Sequence, residues 1–251
     1  MTTAKRYGWI PDHPDHRDFY FQARLGIEAL PRYVDLREQC SPVENQKALA
    51  SCTANALVGA MEFLHLKKGY PLIDLSRLFV YYNERALHGQ TANDWGATLR
   101  DGVKTLVKRG VCEEGLWPYD IEKFAVKPSG VCYQKAKLRQ LESYRRVVSL
   151  NDMRSCLAEG FPFVFGFSVY ESFESDRVKS TGVVPMPKKG EKYLGGHAVM
   201  AVGYDQVRER FIVRNSWGAR WGVDGYCYMP YAYLDNDDLA TNFWTLRVAE
   251  G

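Results

Sequence analysis

The sequence lacks the features that mark several large classes of protein. No apolar run approaches the roughly 18 residues that a membrane-spanning helix needs. The stretch from Met1 to Trp9 has no apolar core of a secretory signal, so we expect a cytoplasmic protein, or one exported by a route that the sequence does not reveal. A net charge of +3 is too small to predict a nucleic acid or a membrane surface as a partner.

Cysteine and histidine are also scarce, with six and five residues. No Cys-x-x-Cys or mixed Cys/His spacing is typical of zinc, so we expect neither a metal nor a cofactor. Free, buried thiols are the default where no secretory signal is seen. Cys112 and Cys132 flank a proline-containing loop, and whether they pair stays open.

The residues that are present predict an α+β protein. A chain of 251 residues with 46% hydrophobic content can bury a substantial core, in one or two domains. Residues 1–30 carry prolines and scattered aromatic side chains without a helical period, and predict an extended arm. Apolar periodicity and capping residues predict helices over about 51–69, 76–88, 99–110 and 151–160. Strand patterns follow at 161–170, 197–204, 210–215, 225–229 and 242–248.

Cys52 lies where the first helix begins, and its position suits a nucleophile. The N-terminus of a helix carries unpaired N–H groups and a partial positive charge, which favour a thiolate. A nearby imidazolium would lower the thiol pKa further. His197 and Asn215 follow in the strand-rich half and could supply a base and the amide that orients it. Gln46 could donate to a developing oxyanion together with the Cys52 backbone N–H.

These residues resemble the papain-like cysteine peptidases. His197 lies 145 residues after Cys52, within the family's spacing of about 130–150, and Asn215 lies 163 after it, slightly beyond. The string Asn-Ser-Trp-Gly-x-x-Trp-Gly at 215–222 is a specific signature. The resemblance covers most of the chain, beginning near Val34-Asp35. Each residue taken singly is more often structural, but their joint order and spacing favour catalysis.

The sequence departs from the family pattern around the nucleophile. Leu49 stands where the family has a cysteine, and the stretch 93–98, which would hold that cysteine's partner, has none. One family disulfide is therefore missing on both sides, and Thr53 replaces a bulky tryptophan behind the nucleophile. This pattern resembles a bacterial, xylellain-like branch with a short prosegment.

The resemblance implies an architecture and a substrate site. It implies a papain-like fold of two subdomains, a helical left half at about 45–150 and an antiparallel, β-barrel-like right half at about 151–251, within a catalytic domain spanning 31–251. The active-site cleft would lie between them. A peptide or protein substrate would contact five residues: Gly96 through backbone pairing, Gly166, Gly195 and Ala198 in a roomy apolar pocket, and Trp217 over the catalytic pair. Residues 1–30 could act as an autoinhibitory prosegment or only stabilise the domain.

Three functional hypotheses remain open at this point. The first is a peptidase that uses a Cys52 thiolate. The second is the same fold in another acyl transfer, such as deamidation or isopeptide chemistry on a dedicated protein target. The third is an inactive, papain-like binding protein, which the intact set of Gln46, Cys52, His197 and Asn215 disfavours.

Overall fold

Helices packed against an antiparallel sheet make up the computed structural model, which describes residues 7–24 and 26–247. The predicted α+β class is confirmed. No helix in these ranges combines the length and the apolar character needed to cross a membrane. The α-helices of these ranges are α1 (Cys52–Lys67), α2 (Arg77–Ala86), α3 (Leu99–Arg109), α4 (Gly130–Ala136), α5 (Leu150–Ala158), α6 (Asp176–Thr181) and α7 (Tyr231–Leu234).

The strands fall into two sheets. A small parallel pair joins β1 (Trp9–Ile10) to β3 (Ala97–Thr98). The main sheet is antiparallel throughout, in the order β4-β9-β5-β6-β7-β8, and β2 pairs with β6 outside this path. Its strands are β2 (Tyr33–Asp35), β4 (Ser143–Arg146), β5 (Phe163–Tyr170), β6 (Tyr193–Asp205), β7 (Arg210–Arg214), β8 (Tyr226–Pro230) and β9 (Ala240–Arg247).

Helix α1 runs through the middle of the molecule. The sequence predicted one apolar stripe, but every residue from Cys52 to Leu64 is buried. The reason is that α1 packs against β6 on one side and against α2 and α3 on the other, so it has no solvent face over these turns. Its polar side chains there need internal partners, and Glu62 receives hydrogen bonds from the Ser41 hydroxyl and the Leu75 N–H.

The main sheet begins earlier in the chain than the predicted boundary near residue 151. β2 and β4 both precede that boundary. β2 pairs with β6 and β4 pairs with β9, both of which are strands of the second half. Neither strand was predicted, because two strands of three or four residues carry little alternation of their own and form by pairing with β6 and β9. The predicted last strand ended at Val248, which lies outside the described residues.

The N-terminal arm, residues 1–30, is tied to the domain along its described length. Residues 1–6 and Leu25 lie outside the described part. Trp9 pairs with Ala97, and Tyr20 bridges to Arg146 on β4. Its described residues form the strand Trp9–Ile10, a turn between Asp15 and Asp18 and a short 3-10 helix at Ile27–Ala29.

Asp12 is the best-connected anchor of the arm. Its carboxylate accepts hydrogen bonds from the Arg100 N–H at 3.1 Å and from Trp244 Nε1 at 2.8 Å. Its own N–H donates to Asn242 Oδ1 at 2.8 Å. One short side chain therefore links the arm to the start of α3 and to β9.

We expect Asp12→Ala to lower the thermal stability of the protein. The Arg100 N–H and the Trp244 indole N–H would lose their acceptor, which costs about 1–3 kcal/mol when such donors are buried. In a chain of this size that loss corresponds to a Tm lower by roughly 2–10 °C, measurable by calorimetry. Glu28→Ala, at an exposed position of the same arm, serves as the control. Equal Tm values for the two variants would contradict the anchoring role.

Candidate active site

Cys52 is the first residue of α1, and its thiol is fully buried. Ser51 precedes it at the N-cap but makes no side-chain cap, because its hydroxyl instead bonds to the Tyr119 hydroxyl at 2.5 Å. Backbone groups of Ala198, Gly8 and Thr53 hydrogen-bond to the Cys52 thiol. The Ala198 contact places the thiol directly beside β6, next to His197 in the chain.

His197 and Asn215 are brought together by neighbouring strands. Asn215 directly follows β7, and Arg214 is paired with Met200 on β6. His197 Nε2 and Asn215 Oδ1 are 2.8 Å apart, and both side chains are buried. The Trp217 ring stacks on the imidazole with centroids 4.9 Å apart and covers this hydrogen bond. With Nε2 bonded to the amide oxygen, proton exchange between this ring and a thiol would take place at Nδ1.

Gln46 is held from two directions. Its Nε2 donates to the Leu49 carbonyl at 2.9 Å, and its Oε1 accepts from the Ser216 hydroxyl at 2.6 Å. Its backbone N–H also bonds to the Ser216 carbonyl. These bonds distinguish the amide oxygen from the nitrogen and direct the nitrogen to the segment that leads into Cys52. Its role as an oxyanion donor stays a prediction.

The N-terminal arm crosses the site directly over the thiol. The Gly8 N–H faces Cys52 Sγ, while the Gly8 carbonyl accepts from the Ala97 N–H at 2.8 Å. The arm therefore presents an amide donor to the sulfur and turns its carbonyl away. A sulfur nucleophile attacks a carbonyl carbon, and at this point of the arm the sulfur faces an amide N–H instead.

Each of the five predicted substrate-binding residues lies next to the arm or to the Cys52 thiol, and their role in binding a substrate stays a prediction. A β-carbon on Gly96, Gly166 or Gly195 would overlap the arm, at Gly8, Trp9 and Tyr7 respectively. Ala198 contacts the thiol, and Trp217 lies edge-on to the Tyr7 ring at 6.3 Å. The Tyr7 hydroxyl bonds to the Glu174 carboxylate.

Burial changes the chemistry of the thiol. Desolvation raises the pKa of Cys52 to about 12, and the hydrogen bonds from Ala198, Gly8 and Thr53 offset this only in part. A thiol with this pKa is protonated at neutral pH, and the thiolate–imidazolium pair expected from the sequence stays a prediction.

Thr53 and Glu84 form a pair beside Cys52 that sequence reasoning missed. Thr53 Oγ1 donates to Glu84 Oε1 at 2.7 Å, and both residues are fully buried. Desolvation raises the pKa of Glu84 to about 8, and when this carboxyl is ionised its negative charge raises the pKa of Cys52. The only sequence signal was the threonine in place of the family's tryptophan.

A hydrogen bond to Asp94 links the two segments that a disulfide joins elsewhere in the family. The Ala50 N–H donates to Asp94 Oδ1 at 3.0 Å, and the Tyr81 hydroxyl donates to the same oxygen at 2.5 Å. Ala50 follows Leu49, and Asp94 lies in the stretch 93–98, where the partner cysteine is missing. All six cysteines are present as thiols, and Cys112 and Cys132 are hydrogen-bonded to each other.

Comparisons with known proteins identify the family to which the chain is similar. The sequence model for papain family cysteine proteases matches residues 30–241. An uncharacterized peptidase C1-like protein of Acanthamoeba polyphaga mimivirus is 40% identical, over 98% of this chain and 88% of the relative. Procathepsin L of Rattus norvegicus is 28% identical, over 88% of this chain and 66% of the relative.

A solved structure extends the similarity to the fold. Xylellain, a cysteine protease from Xylella fastidiosa, superposes with a TM-score of 0.90 at 42% identity, covering 97% of this chain and 96% of that one. Digestive procathepsin L 3 of Tenebrio molitor, at 21% identity, superposes with a TM-score of 0.71 over 92% of this chain and 75% of its own. The predicted papain-like fold is confirmed.

The raised pKa of Cys52 predicts a specific pH dependence of alkylation. Only the thiolate reacts, so its rate with iodoacetamide should rise about tenfold per pH unit from pH 7 to pH 9 and reach no plateau there. The rate is read by mass spectrometry of the Cys52 peptide. The same residue in the urea-unfolded chain, with an ordinary thiol pKa of about 8.5, is the control and should level off above about pH 9.5. A plateau below pH 8 in the folded chain would contradict the prediction.

Proposed function

The chain belongs to the papain family of cysteine proteases, and we propose that it hydrolyses peptide bonds through an acyl-enzyme formed on Cys52. The observation that carries the proposal is the buried hydrogen bond of 2.8 Å between His197 Nε2 and Asn215 Oδ1, on the strand beside the Cys52 thiol. This bond sets the tautomer and direction of the imidazole, so Nδ1 can take the thiol proton.

The proposed reaction has two halves that share the same groups. The Cys52 thiolate attacks the peptide carbonyl carbon, and the oxyanion is stabilised by the Cys52 N–H and the Gln46 amide. The His197 imidazolium then gives its proton to the departing amine, which leaves a thioester on Cys52. His197 next accepts a proton from water as the water attacks the thioester, which releases the carboxylic acid and restores the thiol. Asn215 holds the ring throughout without taking a proton.

We further propose that the N-terminal arm inhibits this reaction in the same chain. Support comes from the Gly8 N–H facing the sulfur and from the burial that raises the pKa of Cys52. Trp9 and Tyr7 occupy the groove on either side of Gly8, so the arm competes with a substrate for its binding surface. The Gly8 carbonyl is held by a hydrogen bond from the Ala97 N–H and points away from the sulfur, so Cys52 does not cleave the arm at this residue.

The experiment that tests the function is loss of turnover in Cys52→Ala. This variant lacks the nucleophile and should show no peptide hydrolysis above background, with an unchanged circular dichroism spectrum. Cys156→Ala, which removes a fully buried thiol on α5, is the matched control and should keep its activity if it folds. Products separate the reaction classes, since hydrolysis yields a new amine and carboxylate, whereas deamidation of a side chain yields ammonia. Hydrolysis that survives in Cys52→Ala would refute the mechanism.

Release of the arm should activate the enzyme. In Trp9→Ala the arm loses its largest buried contact, so both peptide hydrolysis and Cys52 alkylation at pH 7 should rise by at least tenfold. Ile10→Ala is the matched control, because the Ile10 side chain on the same strand is 42% exposed. If Trp9→Ala lowers the Tm but changes neither rate, the arm is a structural support and not an inhibitor.

A further inference from the structure

Asn55 lies on α1 close to Cys52, and its side-chain amide has a fixed orientation. Asn55 Nδ2 donates to the Ser51 carbonyl at 2.9 Å and to the Ser51 hydroxyl at 3.1 Å. A carbonyl oxygen can only accept, so the first of these bonds distinguishes the amide nitrogen from the amide oxygen. Asn55 Oδ1 is buried and has no hydrogen-bond partner among the residues that the structure describes. The helix therefore holds an unused acceptor near the nucleophile.

The amide of Asn215 is oriented by the same kind of argument. Its Oδ1 accepts from the Ser216 N–H at 2.8 Å and lies 2.8 Å from His197 Nε2. A backbone N–H can only donate, so the atom that faces the imidazole is the oxygen. Asn215 Nδ2 is buried and is without a partner in the described part of the chain. The orienting residue therefore holds an unused donor.

Both asparagines line one small cavity where α1 meets β6 and the end of β7. Its volume is about 10 Å³, which is close to the minimum that holds one water. The unused donor of Asn215 and the unused acceptor of Asn55 are complementary, and a single water can serve both. A water that bridges two buried polar groups is nearly as favourable as a direct hydrogen bond, whereas a buried group without any partner destabilises the fold.

We propose that one buried water joins Asn215 Nδ2 to Asn55 Oδ1 and makes Asn55 a positioning residue for the His197–Asn215 pair. The water accepts from Asn215 and donates to Asn55. The inference rests on the proposed function, because it takes Asn215 as the residue that orients His197. With both its oxygen and its nitrogen bonded, the Asn215 amide is held against rotation, and its oxygen stays on His197 Nε2.

The bridge connects the two halves of the reaction site. The Ser51 hydroxyl, which accepts from Asn55, also bonds to the Tyr119 hydroxyl at 2.5 Å. The Tyr119 hydroxyl in turn donates to the Gln46 carbonyl at 3.0 Å. One network therefore extends from the segment of the oxyanion donor, past the start of α1, to Asn215. A shift of α1 relative to β6 would break it, so the network keeps nucleophile and base in register.

Two substitutions of Asn55 test the bridge in the full-length Trp9→Ala chain, with a fluorogenic peptide as substrate. Leucine has nearly the shape of asparagine without the acceptor. Asn55→Leu should therefore lower kcat by about three- to tenfold, the effect of losing one hydrogen bond, and change KM by less than about twofold. Alanine leaves room for a second water in place of Oδ1, so Asn55→Ala should keep more of kcat than Asn55→Leu. A packing role alone predicts the opposite order, and that order, or an unchanged kcat in Asn55→Leu, would overturn the proposal.

Asn83→Leu in the same background is the matched control. Asn83 on α2 is also buried, and its Nδ2 donates to the carbonyl four residues earlier, that of Phe79, at 2.8 Å. Its Oδ1 accepts directly from the Tyr133 hydroxyl at 3.1 Å. Asn83→Leu should lower the Tm and keep kcat within about twofold, since the hydrogen bonds that it removes are structural. A fall in kcat as large as that in Asn55→Leu would show that the bridge is not the cause.

Detection of the water separates this inference from the proposed function and does not depend on turnover. In the unmodified full-length chain, the Asn215 Nδ2 protons, assigned by their absence in Asn215→Ala, should show a nuclear Overhauser effect to a long-lived water. Asn55→Ala should retain this signal and Asn55→Leu should lose it. The expected signals without any peptide hydrolysis would refute the proposed reaction and support the bridge. Peptide hydrolysis without a water signal at Asn215 Nδ2 in the unmodified chain would refute the bridge and leave the proposed reaction standing.

Discussion

The burial of helix α1 on all sides is the constraint on which the rest of the structure depends. From Cys52 to Leu64 the helix has no solvent face, because β6 packs on one side and α2 and α3 on the other. A helix enclosed in this way cannot slide or rotate without opening cavities. Its first residue is therefore fixed against the backbone of Ala198, one residue from His197. The position of Cys52 relative to His197 therefore follows from the packing of the core.

That enclosure also decides how polar groups near the site are satisfied. Thr53 donates a hydrogen bond to Glu84, and burial raises the pKa of this carboxyl, which limits its negative charge beside Cys52 at neutral pH. Asp94 accepts from the Ala50 N–H and the Tyr81 hydroxyl across the gap where the family has a disulfide. Two hydrogen bonds to a carboxylate tie these segments together without an oxidising environment. The segment before Cys52 is thus held by hydrogen bonds to Asp94, which a reducing agent does not break.

The N-terminal arm uses the groove in the way that an added strand uses the edge of a sheet. Trp9 pairs with Ala97, and the glycines at 96, 166, 195 and 196 leave room for the arm's backbone and rings. One set of small residues therefore admits both the arm and, in our proposal, a substrate. The difference lies in what faces the sulfur, since Gly8 offers an N–H where a substrate must offer a carbonyl carbon.

The sequence by itself determined the α+β class, the principal helices and strands, and the family, because periodicity, capping residues and the string at 215–222 are local properties. It also named Cys52, His197, Asn215 and Gln46, since their types and order carry the chemistry. Only the tertiary structure decided the short strands β2 and β4, which exist through pairing with distant strands. Only the tertiary structure showed the hydrogen bond between Thr53 and Glu84, the hydrogen bond from the Ala50 N–H to Asp94, and the contact of Trp9 with Gly166. Thr53 and Glu84 are 31 positions apart and Ala50 and Asp94 are 44 apart, and no local pattern records which distant side chain will fill a given space.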